Sequence, residues 1–438
     1  MTPDKRGVGI YVTSSVSMEM FLSKRIEEAQ SWRQRLGLTP GVAALAVGLF
    51  IYGFGEELWF RYLPAYLRAL GGSALLIGAF GTVKDLLDAA YAYPGGILTD
   101  RIGTRRSLLL FGALTTVGFF LYLAWPSIIA VFSGMVLVMA WQSLGLPATF
   151  SLIGEELRGG KRIVGFTIQA VLKRLPILVA PPIGGLLIER FGTIEGMRAG
   201  FFVSVVLSLG MLFGLWRSFR ESPRPAPKID LSPSASDRPR IKAQLHPSLR
   251  QLLIADCLIR LCEGLPEVFL VIWAVEIVKI SPAQFGLLNS VLMATTILSY
   301  FPAAFLAERV EKKPFIVLTY LFFTLFPLAV VFSHSFVYLI GAFVVGGLRE
   351  IGEPARKALI VDFSTFGARG RTVGYYYMIR GFSVAGAAAI GGALWTINPS
   401  WTFYAATILG IAGVAWSLIF LPAGPGRSEA EISAARRT

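Results

Sequence analysis

Residues 95–106 read Gly95-Gly96-Ile97-Leu98-Thr99-Asp100-Arg101-Ile102-Gly103-Thr104-Arg105-Arg106, a charged run between two apolar windows, near 74–98 and 106–125. About 20 mostly apolar residues are what a helix needs to cross a bilayer. A short charged turn between two such windows predicts a hairpin of membrane helices. Outward from it, further windows fall near 42–68, 128–153, 163–188 and 199–219, then 249–277, 283–306, 314–332, 335–361, 372–396 and 401–421. The expected architecture is an all-α membrane protein of twelve transmembrane helices in two pseudo-symmetric six-helix bundles. Its divisions are an N-terminal tail at 1–41, a first bundle at 42–220, a linker at 221–247, a second bundle at 248–421 and a C-terminal tail at 422–438. The stretch Glu221–Pro247 is rich in Pro, Ser, Lys and Arg and reads as a linker.

Composition excludes several soluble cores. Hydrophobic residues make up 54% of the 438 and charged residues only 16%, against about 25% charged in ordinary soluble chains. Mean hydropathy is +0.63. The net charge of +14 does not point to nucleic acid, because the basic residues cluster between apolar segments and no nucleic-acid-binding motif occurs. With both termini on the cytoplasmic side, 28 Lys and Arg fall in cytoplasmic segments and four (Arg68, Arg190, Arg198 and Lys279) on the opposite side, the asymmetry of the positive-inside rule. A multi-pass inner (plasma) membrane protein with cytoplasmic termini is the expectation. The first forty residues lack an apolar signal core, and residues 16–37 suit either an amphipathic surface helix or a solvated tail. Cys257 and Cys262 lie five apart on one helix, on different faces, so neither a disulfide nor a metal site is expected.

The halves repeat. A shift of 208 carries Gly78 onto Gly286, Pro94 onto Pro302, Asp100 onto Glu308 and Arg101 onto Arg309; a shift of 207 pairs Gly145 with Gly352, Pro147 with Pro354, Ala148 with Ala355 and Glu155 with Asp362. One near-constant offset implies parallel halves related by an axis along the membrane normal.

On these residues the chain resembles the major facilitator superfamily (MFS). The run from Gly95 to Arg106 is similar to its signature loop, Gly-x-x-x-Asp-Arg-x-Gly-Arg-Arg, with Thr104 in one arginine slot, and Ala304–Lys313 looks like a worn second copy. The resemblance covers residues 42–421 and implies the MFS fold and a conformational latch formed by Gly96, Asp100, Arg101, Gly103, Arg105, Arg106, Glu308 and Arg309. Ala180-Pro181-Pro182-Ile183-Gly184-Gly185 is similar in part to the antiporter motif of drug exporters, which leans toward export; close helix packing is the plainer reading. The fourth-helix arginine of proton-coupled members is Trp141 here, which leans away from the standard drug exchangers.

Eighteen ionisable residues sit at helix midpoints: Glu56, Glu57, Arg61, Lys84, Asp85, Asp88, Lys173, Arg174, Asp256, Arg260, Glu263, Glu267, Arg349, Glu350, Glu353, Arg356, Lys357 and Arg380, nine acids and nine bases. At about 2.5–3.5 kcal/mol each, exposing all of them to lipid would cost on the order of 50 kcal/mol. They must face one another or water. Glu57–Arg61, Lys84–Asp88, Asp256–Arg260, Arg349–Glu353 and Glu353–Lys357 are spaced for pairing along one helix. The resemblance implies that helices 1, 4, 7 and 10 line a central cavity and 2, 5, 8 and 11 flank it; the charges avoid 3, 6, 9 and 12.

The candidate substrate or proton-coupling residues are Glu56, Glu57, Arg61, Lys84, Asp85, Asp88, Lys173, Arg174, Arg260, Glu263, Glu267, Arg349, Glu350, Glu353, Tyr376 and Arg380. For any one of them a structural ion pair is as good a reading as substrate contact. Asp256, Arg356 and Lys357 lie nearer the cytoplasmic ends, where gating or structure is the expected role. Buried carboxylates can titrate near neutral pH, which makes H+ the expected coupling ion; the two histidines, His246 and His334, lie in linker and loop. The expectation is a monomeric secondary active transporter for a small organic solute, leaning to efflux, with no enzymatic activity, cofactor, metal or nucleic-acid partner. An uptake permease or uniporter on the same fold is the alternative, and a non-transporting membrane sensor is the alternative of another class. A cavity with both charge signs suits zwitterions, organic anions or amphiphiles.

Overall fold

A computed structural model describes residues 40–145, 148–149, 161–221, 246–307, 311–363 and 369–421. Among them the chain is helical, with no strand. The first half runs α1 (Pro40–Glu57), α2 (Leu63–Ala69), α3 (Ala74–Ile102), α4 (Thr104–Ala124), α5 (Ile128–Met139), α6 (Lys161–Phe191) and α7 (Thr193–Glu221). The second runs α8 (Pro247–Glu267), α9 (Pro282–Ala307), α10 (Lys312–Val331), α11 (Phe336–Gly347), α12 (Glu353–Asp362), α13 (Arg369–Val384), α14 (Ala387–Ile397) and α15 (Pro399–Phe420). Each of the twelve apolar windows therefore carries helix. Residues 222–245 of the linker, residues 16–37, Glu308 and Arg309 lie outside the described residues.

Five helices are long and apolar enough to cross a membrane by length and composition alone: Thr104–Ala124, Thr193–Phe219, Lys312–Val331, Tyr375–Ile397 and Pro399–Phe420. Four of these are the third, sixth, ninth and twelfth windows, which carry none of the eighteen midpoint charges. The first, fourth, seventh and tenth windows are interrupted. A 3-10 turn (Phe60–Tyr62) separates α1 from α2, a π-helical turn (Ala140–Leu144) ends α5, another (Trp273–Ile277) follows α8, and a 3-10 turn (Leu348–Glu350) separates α11 from α12. Such turns are commonly found where a helix is adapted for function.

The halves meet along two seams, α6 on α9 and α3 on α14. Both seams rest on glycine. A Cβ on Gly185 would lie 2.4 Å from Pro282 O, and one on Gly392 2.7 Å from Ala74 O. One on Gly286 would meet Pro181 O at 2.4 Å, and one on Gly78 would meet Ala388 O at 2.5 Å. These are equivalent contacts: 392 is 207 beyond 185, and 282 is 208 beyond 74. Inside each half, Gly184 against Leu58 O (1.7 Å) is matched by Gly391 against Leu265 O (2.2 Å), again 207 apart. Only a residue without a side chain lets the backbones approach this closely.

Polar groups close the same end, the one remote from residues 40, 246 and 421. Pro182 leaves the Leu178 carbonyl without its helical donor, and Ser290 Oγ of the other half donates to it at 2.6 Å. Ala389 N–H, an unpaired donor in the first turn of α14, donates to Thr82 Oγ1 of the other half at 3.1 Å. Tyr62 Oη lies 2.8 Å from Pro181 O and 2.9 Å from Pro282 O, its one proton shared between carbonyls of both halves. Arg68 and Glu276 pair across the gap at 3.5 Å on the surface.

Candidate functional site

The sealed end roofs a cavity of about 150 Å³ between the halves. The first half contributes Phe60, Arg61, Pro64, Phe80 and Lys84; the second contributes Glu263, Glu267, Val268, Phe285, Asn289, Phe326, Phe343 and Arg349, among others. Five of the sequence-derived candidates thus line one space. They come from α3, α8 and the irregular turns after α1 and α11, so the breaks in the helices are what bring several of them to one level.

An ion pair crosses the seam inside this cavity: Lys84 Nζ is 3.2 Å from Glu267 Oε1 and 3.5 Å from the neighbouring Asp85 Oδ1. Arg61 is held by Glu57 at 3.0 Å, one turn back on its own helix. Glu263 lies between Arg260 of its own helix and Arg349 at 3.4 Å. Arg349 is further held by its Nε donating to Gly346 O at 2.8 Å, with its guanidinium over the rings of Phe326 (4.6 Å) and Phe323 (5.0 Å). Such fixing keeps a cation in one place at low entropic cost.

A second cluster lies wholly within the second half. Asp256 and Arg356 are almost fully buried, with side-chain exposures of 2% and 3%, and are paired. Asp256 also accepts from Tyr376 at 2.9 Å and Tyr320 at 3.3 Å and meets Arg380 at 3.3 Å. Glu353 pairs with Arg356 at 2.7 Å and Lys357 at 3.4 Å. Tyr376, Glu353 and Arg380 therefore belong to an internal brace of α8, α12 and α13, while the cavity wall is made by other residues.

Pairing departs from the helical spacing in three instances. Glu57–Arg61 and Glu353–Lys357 form as spaced. Lys84 instead reaches Glu267, Asp256 takes Arg356 and Arg380, and Arg349 takes Glu263. The physical reason is burial between helices: partners on neighbouring helices approach head-on, and the non-α turn at Leu348–Glu350 takes Arg349 and Glu353 out of helical register.

Glu56 sits apart in the first half. It is 5% exposed, Tyr52 Oη donates to it at 3.3 Å, and the Gln142 amide is its other hydrogen-bond partner. Gln142 lies in the π-helical turn beside Trp141, the residue in the arginine slot, and brings a neutral amide to Glu56. Lys173 and Arg174 lie on α6, Lys173 exposed and within the field of Glu56. Asp88 accepts from Ser143 Oγ, and Glu350 lies in the turn before α12.

Of the latch residues, Gly103 caps α3 with φ 85°, a left-handed conformation suited to glycine. Arg105 donates to Phe219 O at 3.4 Å and covers the Phe219 ring, an arrangement inside the first half. Arg101 and Arg106 are exposed. Gly96 and Asp100 lie within α3, where the side chain of Asp100 is outside the described set.

Sequence reasoning read Gly184 and Gly185 as close helix packing but missed Asn289, Tyr62 and the matching Gly-Gly step at 391–392. The last was legible as an identical dipeptide at the same offset as the rest of the repeat. The phenylalanine walls were not, because apolar residues are everywhere in such a chain.

Two helical bundles closed over a charged cavity at their common seam define a membrane transporter. The chain belongs to the Major Facilitator Superfamily, whose family model matches residues 45–274 and 252–437. An uncharacterised MFS-type transporter of Methanocaldococcus jannaschii is 22% identical over 400 residues, covering 85% of this chain and 93% of that one. Among solved structures, a bacterial homologue of the iron transporter ferroportin in an inward-facing state superposes with a TM-score of 0.71 at 13% identity, covering 88% of this chain and 99% of that one. A peptide transporter of the POT type gives 0.69 at 16% identity, covering 87% and 93%. A POT family transporter in complex with 5-aminolevulinic acid gives 0.67 at 16%, covering 87% and 95%. At these identities the likeness carries the fold. Among the described residues no group of three or more His, Cys, Asp or Glu has metal-binding proximity.

Proposed function

We propose that the chain is a secondary active transporter of the inner membrane, a monomer with cytoplasmic termini, that moves a small polar organic solute by rocking its two halves about the seam cavity. The observation that carries this reading is the Lys84–Glu267 ion pair, contributed by both halves and set in the cavity wall. A group that binds there touches both rocking bodies, as alternating access requires. The partial match of Ala180–Gly185 to an exporter motif supports efflux as the direction.

Protons drive the cycle in this reading, and Glu56 is the site that takes and gives them up. What supports this is its burial, its neutral partners Tyr52 and Gln142, and its position one residue before Glu57, which holds cavity-lining Arg61. The cavity acids Glu263 and Glu267 are each engaged by a cation. Purified protein in vesicles should accumulate solute when a pH gradient is imposed. Glu56→Gln should abolish that accumulation while leaving solute-for-solute exchange. Accumulation indifferent to the gradient would remove the coupling, and an unaltered Glu56→Gln would clear this residue.

A further inference from the structure

We propose that the seam cavity takes a small zwitterion with an apolar body, and that the ligand replaces the Lys84–Glu267 bridge charge for charge. The inference rests on the transporter reading above and names its substrate class.

The lining charges are Arg61, Lys84 and Arg349 against Glu263 and Glu267. Their direct ion-pair partners add Glu57, Asp85 and Arg260. Four acids and four bases make this set neutral as a whole. A ligand of net charge entering between them would leave one protein charge without its counter-charge, which disfavours it. A zwitterion entering between Lys84 and Glu267 returns a carboxylate to the lysine and an ammonium to the glutamate, so no charge is stranded. Its two poles then rest on opposite halves.

The remaining lining disfavours an uncharged polar cargo such as a sugar. Asn289 is the neutral polar side chain among the lining residues, and its amide already donates to Phe285 O at 2.8 Å. Hydroxyl-rich ligands would have to bond to charged side chains that ion pairs already engage, and each unsatisfied polar group costs about 1–3 kcal/mol. The rest of the wall is apolar, with Phe60, Phe80 and Phe343 among its members. That surface fits the body of an amphiphile. A cavity of about 150 Å³ suits a small ligand.

The test uses the full chain in detergent and probes that differ only in their charged ends: phenylalanine, phenethylamine and hydrocinnamate, with leucine, isopentylamine and isocaproate as a second set. Thermal stabilisation gives apparent affinity. In the unaltered protein the zwitterion of at least one set should bind about tenfold more tightly than either singly charged analogue, a difference of about 1.4 kcal/mol. Glu267→Gln leaves the cavity with one extra positive charge and should move the preference to the carboxylate probe. Lys84→Gln leaves one extra negative charge and should move it to the amine. A merely structural bridge would lower binding of all three probes in both variants without exchanging their order. The proposal is overturned by singly charged probes binding as well as the zwitterions, by no probe of either set binding, or by no exchange of preference. Vesicle flux separates this from the parent reading. A zwitterion that binds with the charge switch but is not carried sinks the transporter reading alone. Carriage of other solutes with no zwitterion preference sinks the substrate class alone.

Discussion

At the residue scale most of the ionisable groups inside the helices fall into two settings. Some face the cavity; others are walled in with their counter-charges. Asp256 is the clearest of the second kind, with four partners, Arg356, Arg380, Tyr320 and Tyr376. Removing one member of a buried pair typically costs about 3–5 kcal/mol, because the other charge is left bare. Asp256→Ala should therefore lower the thermal midpoint of the purified protein steeply, and adding Arg356→Leu should recover part of the loss. A recovery of nothing would mean that the two side chains do not act as a pair. The identity of the charged residues was legible from the sequence, since composition forces them together. Which acid met which base was not: Lys84 could be paired with Asp88 on spacing alone, yet its partner lies 183 residues away.

At the scale of elements, two features organise the site. Breaks in the first, seventh and tenth windows bend cavity-lining residues inward, and glycine at fixed positions lets α6 lie on α9 and α3 on α14. Where a Cβ would stand 2.4 Å from the Pro282 carbonyl, a side chain must force the helices apart. We expect Gly185→Leu to wedge the sealed end open. In a background with Cys257 and Cys262 replaced, a cysteine at Asn289 should then react with a membrane-impermeant thiol reagent added at the end remote from the termini. With Gly185 intact it should stay protected. Equal labelling of both proteins would count against the seal. The repeat offset anticipated Gly78 and Gly286 as equivalent. Their common use as contact points between halves required coordinates, because an offset says which positions correspond and not what they touch.

For the whole molecule, the sealed end is a balance of modest terms. Tyr62 and Ser290 each bridge the halves through backbone carbonyls, and single hydrogen bonds contribute about 0.5–1.5 kcal/mol net. Tyr62→Phe with Ser290→Ala should move the equilibrium between sealed and open forms by about 1–2 kcal/mol, roughly a tenfold change in population. Spin labels at Leu75 and Ile397, exposed positions at the seam end of α3 and α14, should report a larger fraction of long distances in the double variant. An unchanged distribution would mean that packing alone holds the seal.

The amino-acid sequence alone determined that this is a membrane-spanning, twofold-repeated helical chain of the MFS type, since hydropathy, basic-residue asymmetry and a constant offset are properties of order along the chain. It also determined that charge must be sheltered inside, because the cost of lipid exposure depends only on how many such residues there are. Tertiary structure alone decided the division of those charges between a cavity and a brace, the hydrogen bonding of Glu56 to neutral Tyr52 and Gln142, and which end of the seam is shut. Each of those depends on which helix faces which, and contacts between residues far apart in sequence are fixed by packing in three dimensions.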